Sequence, residues 1–159
     1  MFCKKLFSKG FSFVELMVVI AIIGIMVAVV TVSFGGSRAT TRLKAAQDEV
    51  TSAIKLAQSY ALQGKIPAAG VKPSAYGFKF TSNQSYQIFY VAGGVETALE
   101  TYSLSDKGVT LTSPAPASTR LTFDLPNGNF GGNSGTLTFT YSGKSRQIDI
   151  SSGGAVVER

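Results

Sequence analysis

Residue types able to do chemistry are sparse in this 159-residue chain. There is no histidine, and the single cysteine is Cys3. Histidine zinc ligation, histidine-activated nucleophiles and an intramolecular disulfide are thereby excluded. The carboxylates are scattered, and no pair is brought together by spacing alone for acid–base work. Gly143-Lys144-Ser145 looks like the end of a phosphate-binding loop. That loop needs a glycine five residues before its Gly-Lys pair, where this chain has Thr138. The expectation is a protein without catalytic site, metal or cofactor. One acid stands apart. Glu15 lies at the head of positions 16–30, 15 residues without a polar side chain. Ionisable groups in such segments are usually functional. The plain alternative is an interfacial carboxylate among lipid headgroups.

The element that must position Glu15 is the apolar run itself. Positions 11–32 are nearly all apolar. As a helix rising ~1.5 Å per residue, such a run spans the ~30 Å hydrocarbon core of a bilayer. Ten of the residues in 16–30 are Leu, Ile or Val. Together they contribute roughly −3 to −6 kcal/mol to insertion, against about +3 kcal/mol for a charge at the bilayer centre. Glu15, near the end, costs less than that, so insertion wins. Positions 1–10 are too short for an ordinary secretory signal, and the apolar part follows them. Lys4, Lys5 and Lys9 lie there and supply half of the net charge of +6. Arg38, Arg42 and Lys44 follow the run. The positive-inside count is therefore a tie.

The stretch Lys9-Gly10-Phe11-Ser12-Phe13-Val14-Glu15 with the run behind it resembles the class III signal of type IV pilins and type II secretion pseudopilins. The resemblance implies that a prepilin peptidase cuts after Gly10 and methylates the new amine of Phe11. It implies a cytoplasmic leader at 1–10 and a retained helix at 11–34. That helix rests in the bacterial inner membrane, with the C-terminal domain outside the cytoplasm, until the subunit enters a filament. Cleavage would leave a cationic amine one helical turn before Glu15, an arrangement the helix dipole also favours. By resemblance, Glu15 pairs with the amine of a neighbouring subunit during assembly. A pair within one chain is the other possibility.

Beyond the run, Gly35-Gly36 is either a bend in a continuing helix or an ordinary loop. Leu43, Ala46, Val50, Ile54, Ala57 and Ala61 then recur at three- and four-residue steps, which predicts an amphipathic helix over 35–63. From 64 to 159 the period changes to two. Tyr76, Phe78 and Phe80 alternate with small or polar residues, as do Leu137, Phe139 and Tyr141 and then Ile148 and Ile150, while Tyr86, Ile88 and Tyr90 follow at the same spacing after a polar turn. Weaker strands are expected at 100–104, 109–112, 121–124 and 155–157. Loops 113–119, rich in proline, and 128–135, rich in glycine, read as surface connections. An antiparallel sheet with one apolar face needs a cover. The helix supplies it, so the fold class is α+β, a long N-terminal helix laid on an antiparallel sheet.

Residues 143–156 are similar to the end of the pseudopilin H and FimT-like families: a glycine turn, basic residues, alternating isoleucines, then glycine before a last strand. Residues 53–64 are also similar to those families. In FimT-like minor pilins a basic C-terminal region binds DNA, and Lys144 and Arg146 fall in that region. A solvated hairpin is the plainer reading of the two cations. The function expected is a minor pseudopilin of a type II secretion system or type IV pilus. A type IV pilin for adhesion or DNA uptake is the alternative. The implied partners are the prepilin peptidase, other pilins, an inner-membrane assembly platform, the lipid bilayer and, less strongly, DNA.

Overall fold

The computed structural model describes residues 12–67, 70–132 and 134–159. Among these residues one α-helix, α1 (Phe13–Leu62), is followed by nine strands and two short 3-10 turns. The chain divides into two units between Arg38 and Ala39. The helix carries on through Gly35-Gly36, so the loop alternative at these positions does not hold. The ~1 kcal/mol that each glycine costs a helix is too little to break one with strong helical segments on both sides.

The second unit is built on the inner face of α1. Leu43, Ala46, Val50, Ile54, Ala57 and Ala61 are all buried. These are the six positions picked out by the helical period. Half of them are alanine, which lets the backbone of α1 lie close to what it covers.

That cover lies over two sheets, where one was expected. The first has the order β3-β2-β1-β5-β6, formed by β1 (Ala75–Ser82), β2 (Ser85–Ala92), β3 (Val95–Ser103), β5 (Leu121–Asp124) and β6 (Asn129–Gly132). The second has the order β4-β7-β8-β9, formed by β4 (Thr110–Ser113), β7 (Gly135–Tyr141), β8 (Lys144–Ile150) and β9 (Val156–Glu158). Every pairing is antiparallel. Tyr76, Phe78, Tyr86 and Ile88 from the first sheet share one core with Leu111, Leu137, Phe139 and Ile148 from the second. Each such side chain, fully buried, contributes roughly 1.5–3 kcal/mol.

Two expectations about strands need correction. β3 begins at Val95, well before position 100, because it pairs with β2 along its whole length. Exposure on both faces of its first half hides it from a period-two pattern. The glycine-rich stretch 128–135 is no mere surface connection. Its centre is β6, paired with β5 residue for residue, and the Phe130 ring packs 5.8 Å from that of Phe123. Glycine has low strand propensity. Here an existing strand edge and one aromatic contact outweigh it.

Candidate functional site

The first unit holds the residues with a family motif. Gly10 and Phe11, the expected cut and methylation positions, lie outside the described residues. Glu15 sits in the first turn of α1. Around and beyond it, the large apolar side chains from Phe13 to Val29 are exposed, Phe13 by 72%. So large an uncovered apolar surface is unusual for a segment that stands alone in water. Among the described residues no helix is long and apolar enough to cross a membrane. The described side chains of this run stop at Val29, inside the expected 11–34 segment.

The second unit places Lys144 and Arg146 on the strand beside the start of its helix. They follow the turn Tyr141-Ser142-Gly143-Lys144. Its central residues have φ of 50° and 74°, the paired positive values of a two-residue hairpin turn whose twist matches the strands. Lys144 and Arg146, two residues apart on β8, both turn toward the helix. The Lys144 ammonium donates to Thr40 Oγ1 at 3.2 Å. Arg146 donates to Gln47 Oε1 at 3.2 Å. Arg42 joins them, donating to the Tyr141 hydroxyl at 3.0 Å with its guanidinium 5.3 Å from that ring's centre. Residues 99 to 104 apart in sequence thus build one basic cluster.

The partners of these three cations in those contacts are neutral. Elsewhere in the unit cations meet carboxylates: Lys79 and Arg120 both hold Glu96, Lys107 holds Glu49 and Asp106, and Arg159 holds Asp149. Hydrogen bonding to Lys79, reinforced by Arg120, holds the Glu96 carboxyl below its ordinary range. Hydrogen bonding to Glu49 raises the Lys107 ammonium. The Tyr102 hydroxyl, bonded to Glu100, is pushed up to about 12.

Arg42, Thr40, Tyr141 and Gln47 were not singled out for a site by sequence reasoning. Gln47 carried a usable signal, a polar residue on the buried stripe between Leu43 and Val50. It is fully buried, and its amide donates to the carbonyls of Gln147 at 2.7 Å and Arg159 at 3.3 Å. Those two residues exchange backbone hydrogen bonds at the end of the β8–β9 ladder. Gln47 therefore fixes β8, and with it Arg146, against the helix. Among the described residues no group of acids gathers as metal ligands.

Residues 7–31 match the prokaryotic N-terminal methylation motif. Residues 46–154 match the family described as type II transport protein GspH. The chain belongs to the GspH family. GspH proteins are structural members of the pilin and pseudopilin superfamily rather than a family of enzymes. Two proteins called fimbrial protein from Pseudomonas aeruginosa are each 36% identical over 78 residues, covering 48% of this chain and 51% of theirs. The chain thus spans about half the length of these curated relatives. No solved structure matches it.

Proposed function

We propose that this chain is a minor pseudopilin of a type II secretion system, assembling through its N-terminal helix into the pseudopilus that drives protein export. The observation that carries this is one chain with a methylation motif at 7–31 and a GspH domain at 46–154. In this reading the leader is cut after Gly10, Phe11 is methylated, and the 11–34 helix anchors the subunit in the inner membrane. Glu15 then guides docking against the Phe11 amine of a neighbour. The exposed apolar side chains of Phe13 to Val29 are what such a bundle would cover.

The alternative is a type IV pilin, major or minor, serving adhesion or DNA uptake. A DNA-capturing form would place Lys144 and Arg146 on phosphates. The few cations of this cluster neutralise few charges, which gives weak binding at physiological salt.

The test is mass spectrometry of sheared filaments, together with secretion and transformation assays of a deletion strain. The secretion reading expects a methylated product starting at Phe11, lost secretion and normal transformation. Gly10→Asp should accumulate precursor. A filament subunit that keeps residues 1–10, or lost transformation with normal secretion, overturns it.

A further inference from the structure

We infer that the open edge of β7, with the apolar cavity beside it, is a docking site for an extended, uncharged segment of a neighbouring filament subunit. The segment pairs with β7 as an added strand and buries one apolar side chain in the cavity. The inference rests on the assembly reading above and adds a surface and a partner to it.

Three observations carry it. First, β7 is longer than the strand that covers it. β4 pairs with Thr138, Phe139 and Thr140 and no further, and Pro114, which follows β4, has no N–H to extend the ladder. Gly135, Thr136 and Leu137 pair with β8 on their other side alone. Second, a cavity of about 230 Å³ lies against that uncovered edge. Ser134, Gly135, Thr136 and Leu137 line it in succession. Side chains on a strand alternate between faces, so a run of consecutive lining residues presents its backbone edge. The floor is Leu121 from the first sheet with Leu137 and Ile150 from the second, all buried, and none of the described residues lining the cavity is charged. Third, the space beside Gly135 is empty. Gly135 and Leu137 share a face of β7, and a Cβ built on Gly135 meets nothing within 4 Å.

These features select the occupant. An open strand edge beside a pocket is the arrangement of strand addition, in which main-chain bonds give affinity and the pocket selects a side chain. A neutral lining disfavours lipid headgroups, nucleic acid and basic peptides, because a charge buried without a partner is costly. An apolar cavity of about 150 Å³ can hold benzene, so this one takes a single aromatic or branched aliphatic side chain. Three residues of edge, about 10 Å long, and one side chain bury far less than the roughly 1,200 Å² of a stable complex. Such a contact persists only at high effective concentration. A filament neighbour held by its own helix has that advantage, and a freely diffusing protein lacks it.

The experiment uses the full chain in its producing strain. A benzophenone amino acid replaces Ser118, exposed on the cavity rim, or Lys55, exposed on α1, as the control. Sheared filaments are irradiated and the joined peptides are identified by mass spectrometry. Docking predicts that position 118 joins to one uncharged segment of another filament subunit, at least several-fold more than position 55 joins to that segment. Gly135→Leu places a side chain of the chain's own in the cavity. It should remove most of this product and lower incorporation into filaments several-fold, with the thermal midpoint of the purified chain unchanged or raised. Gly135→Ala, too short to fill the space, should stay near wild type in both. If Gly135→Leu lowers the midpoint, the crosslinks of the chain with Gly135 intact decide alone. Scattered products, none, or a product with an exported protein overturn the proposal. An undiminished product in Gly135→Leu with an unchanged midpoint does the same. A chain wholly absent from sheared filaments overturns the assembly reading and docking together.

Discussion

The ring of Phe89 occupies the space that a side chain on Gly77 would need. A Cβ built on Gly77 would lie 2.4 Å from the Phe89 ring and 2.6 Å from the Leu121 carbonyl oxygen. The two residues are direct partners across β1 and β2, so the aromatic folds over its own neighbour. The other side of the ring is closed by Lys79 and Arg120, 5.0 and 5.6 Å from its centre and both bound to Glu96. A fully buried phenylalanine thus sits on the sheet face away from the main core.

Gly77→Ala should destabilise the domain by about 1–3 kcal/mol through overpacking. Phe89→Leu frees the space, so the double variant should lose less than the sum of the two single changes. Denaturant titration of the four proteins measures the coupling. Additive losses would show that the Leu121 carbonyl, and not the ring, excludes the methyl group.

Glu96→Gln should cost roughly 1 kcal/mol near neutral pH, the scale of a partly exposed ion pair. The Glu96 carboxyl is held low in the folded state. Its contribution is therefore present above the unfolded glutamate range, about 4.3, and disappears as pH falls through the lowered folded value. The gap in Tm between wild type and variant should close on acidification. A gap independent of pH would assign the loss to packing over Phe89.

Thr51→Val should stabilise. The Thr51 hydroxyl is buried without a hydrogen-bond partner, while the valine methyl is nearly isosteric. The gain expected is about 1 kcal/mol, from relief of an uncompensated desolvation. A lower denaturation midpoint would mean that an ordered water serves the hydroxyl.

Gln47→Leu should cost about 1–3 kcal/mol by leaving the Gln147 carbonyl and the Arg146 guanidinium short of a partner. The loss is local to β9, where Gln147 and Arg159 close the ladder. Amide exchange at these two positions should quicken before that of β1 and β2. Uniform acceleration across both sheets would make Gln47 a global core residue instead.

Glu15→Val should leave the outer domain folded and the precursor processed, while lowering incorporation into sheared filaments at least several-fold. Glu15 lies in the first turn of α1 and belongs to the other unit. A carboxylate in lipid persists when a partner or water offsets its cost, and the processed Phe11 amine is the nearest cation created. Equal cell-associated and filament pools for wild type and variant would leave Glu15 as an interfacial residue.

What the sequence determined by itself is what depends on neighbours along the chain. The leader pattern and the apolar run are local composition, and the GspH and methylation matches agree with the family they suggested. The buried stripe from Leu43 to Ala61 follows from helix periodicity alone, and the long alternating strands follow from the pleat. Tertiary structure decided the rest, because the interactions responsible are non-local. The split into two sheets depends on which strand edges meet. β6 exists because β5 offers an edge to a glycine-rich segment without strand propensity of its own. Phe89 is buried because the residue opposite is glycine. Arg42, Lys144 and Arg146 become one surface only when residues about a hundred positions apart are brought together, and no spacing rule along a chain reports a distance of that kind.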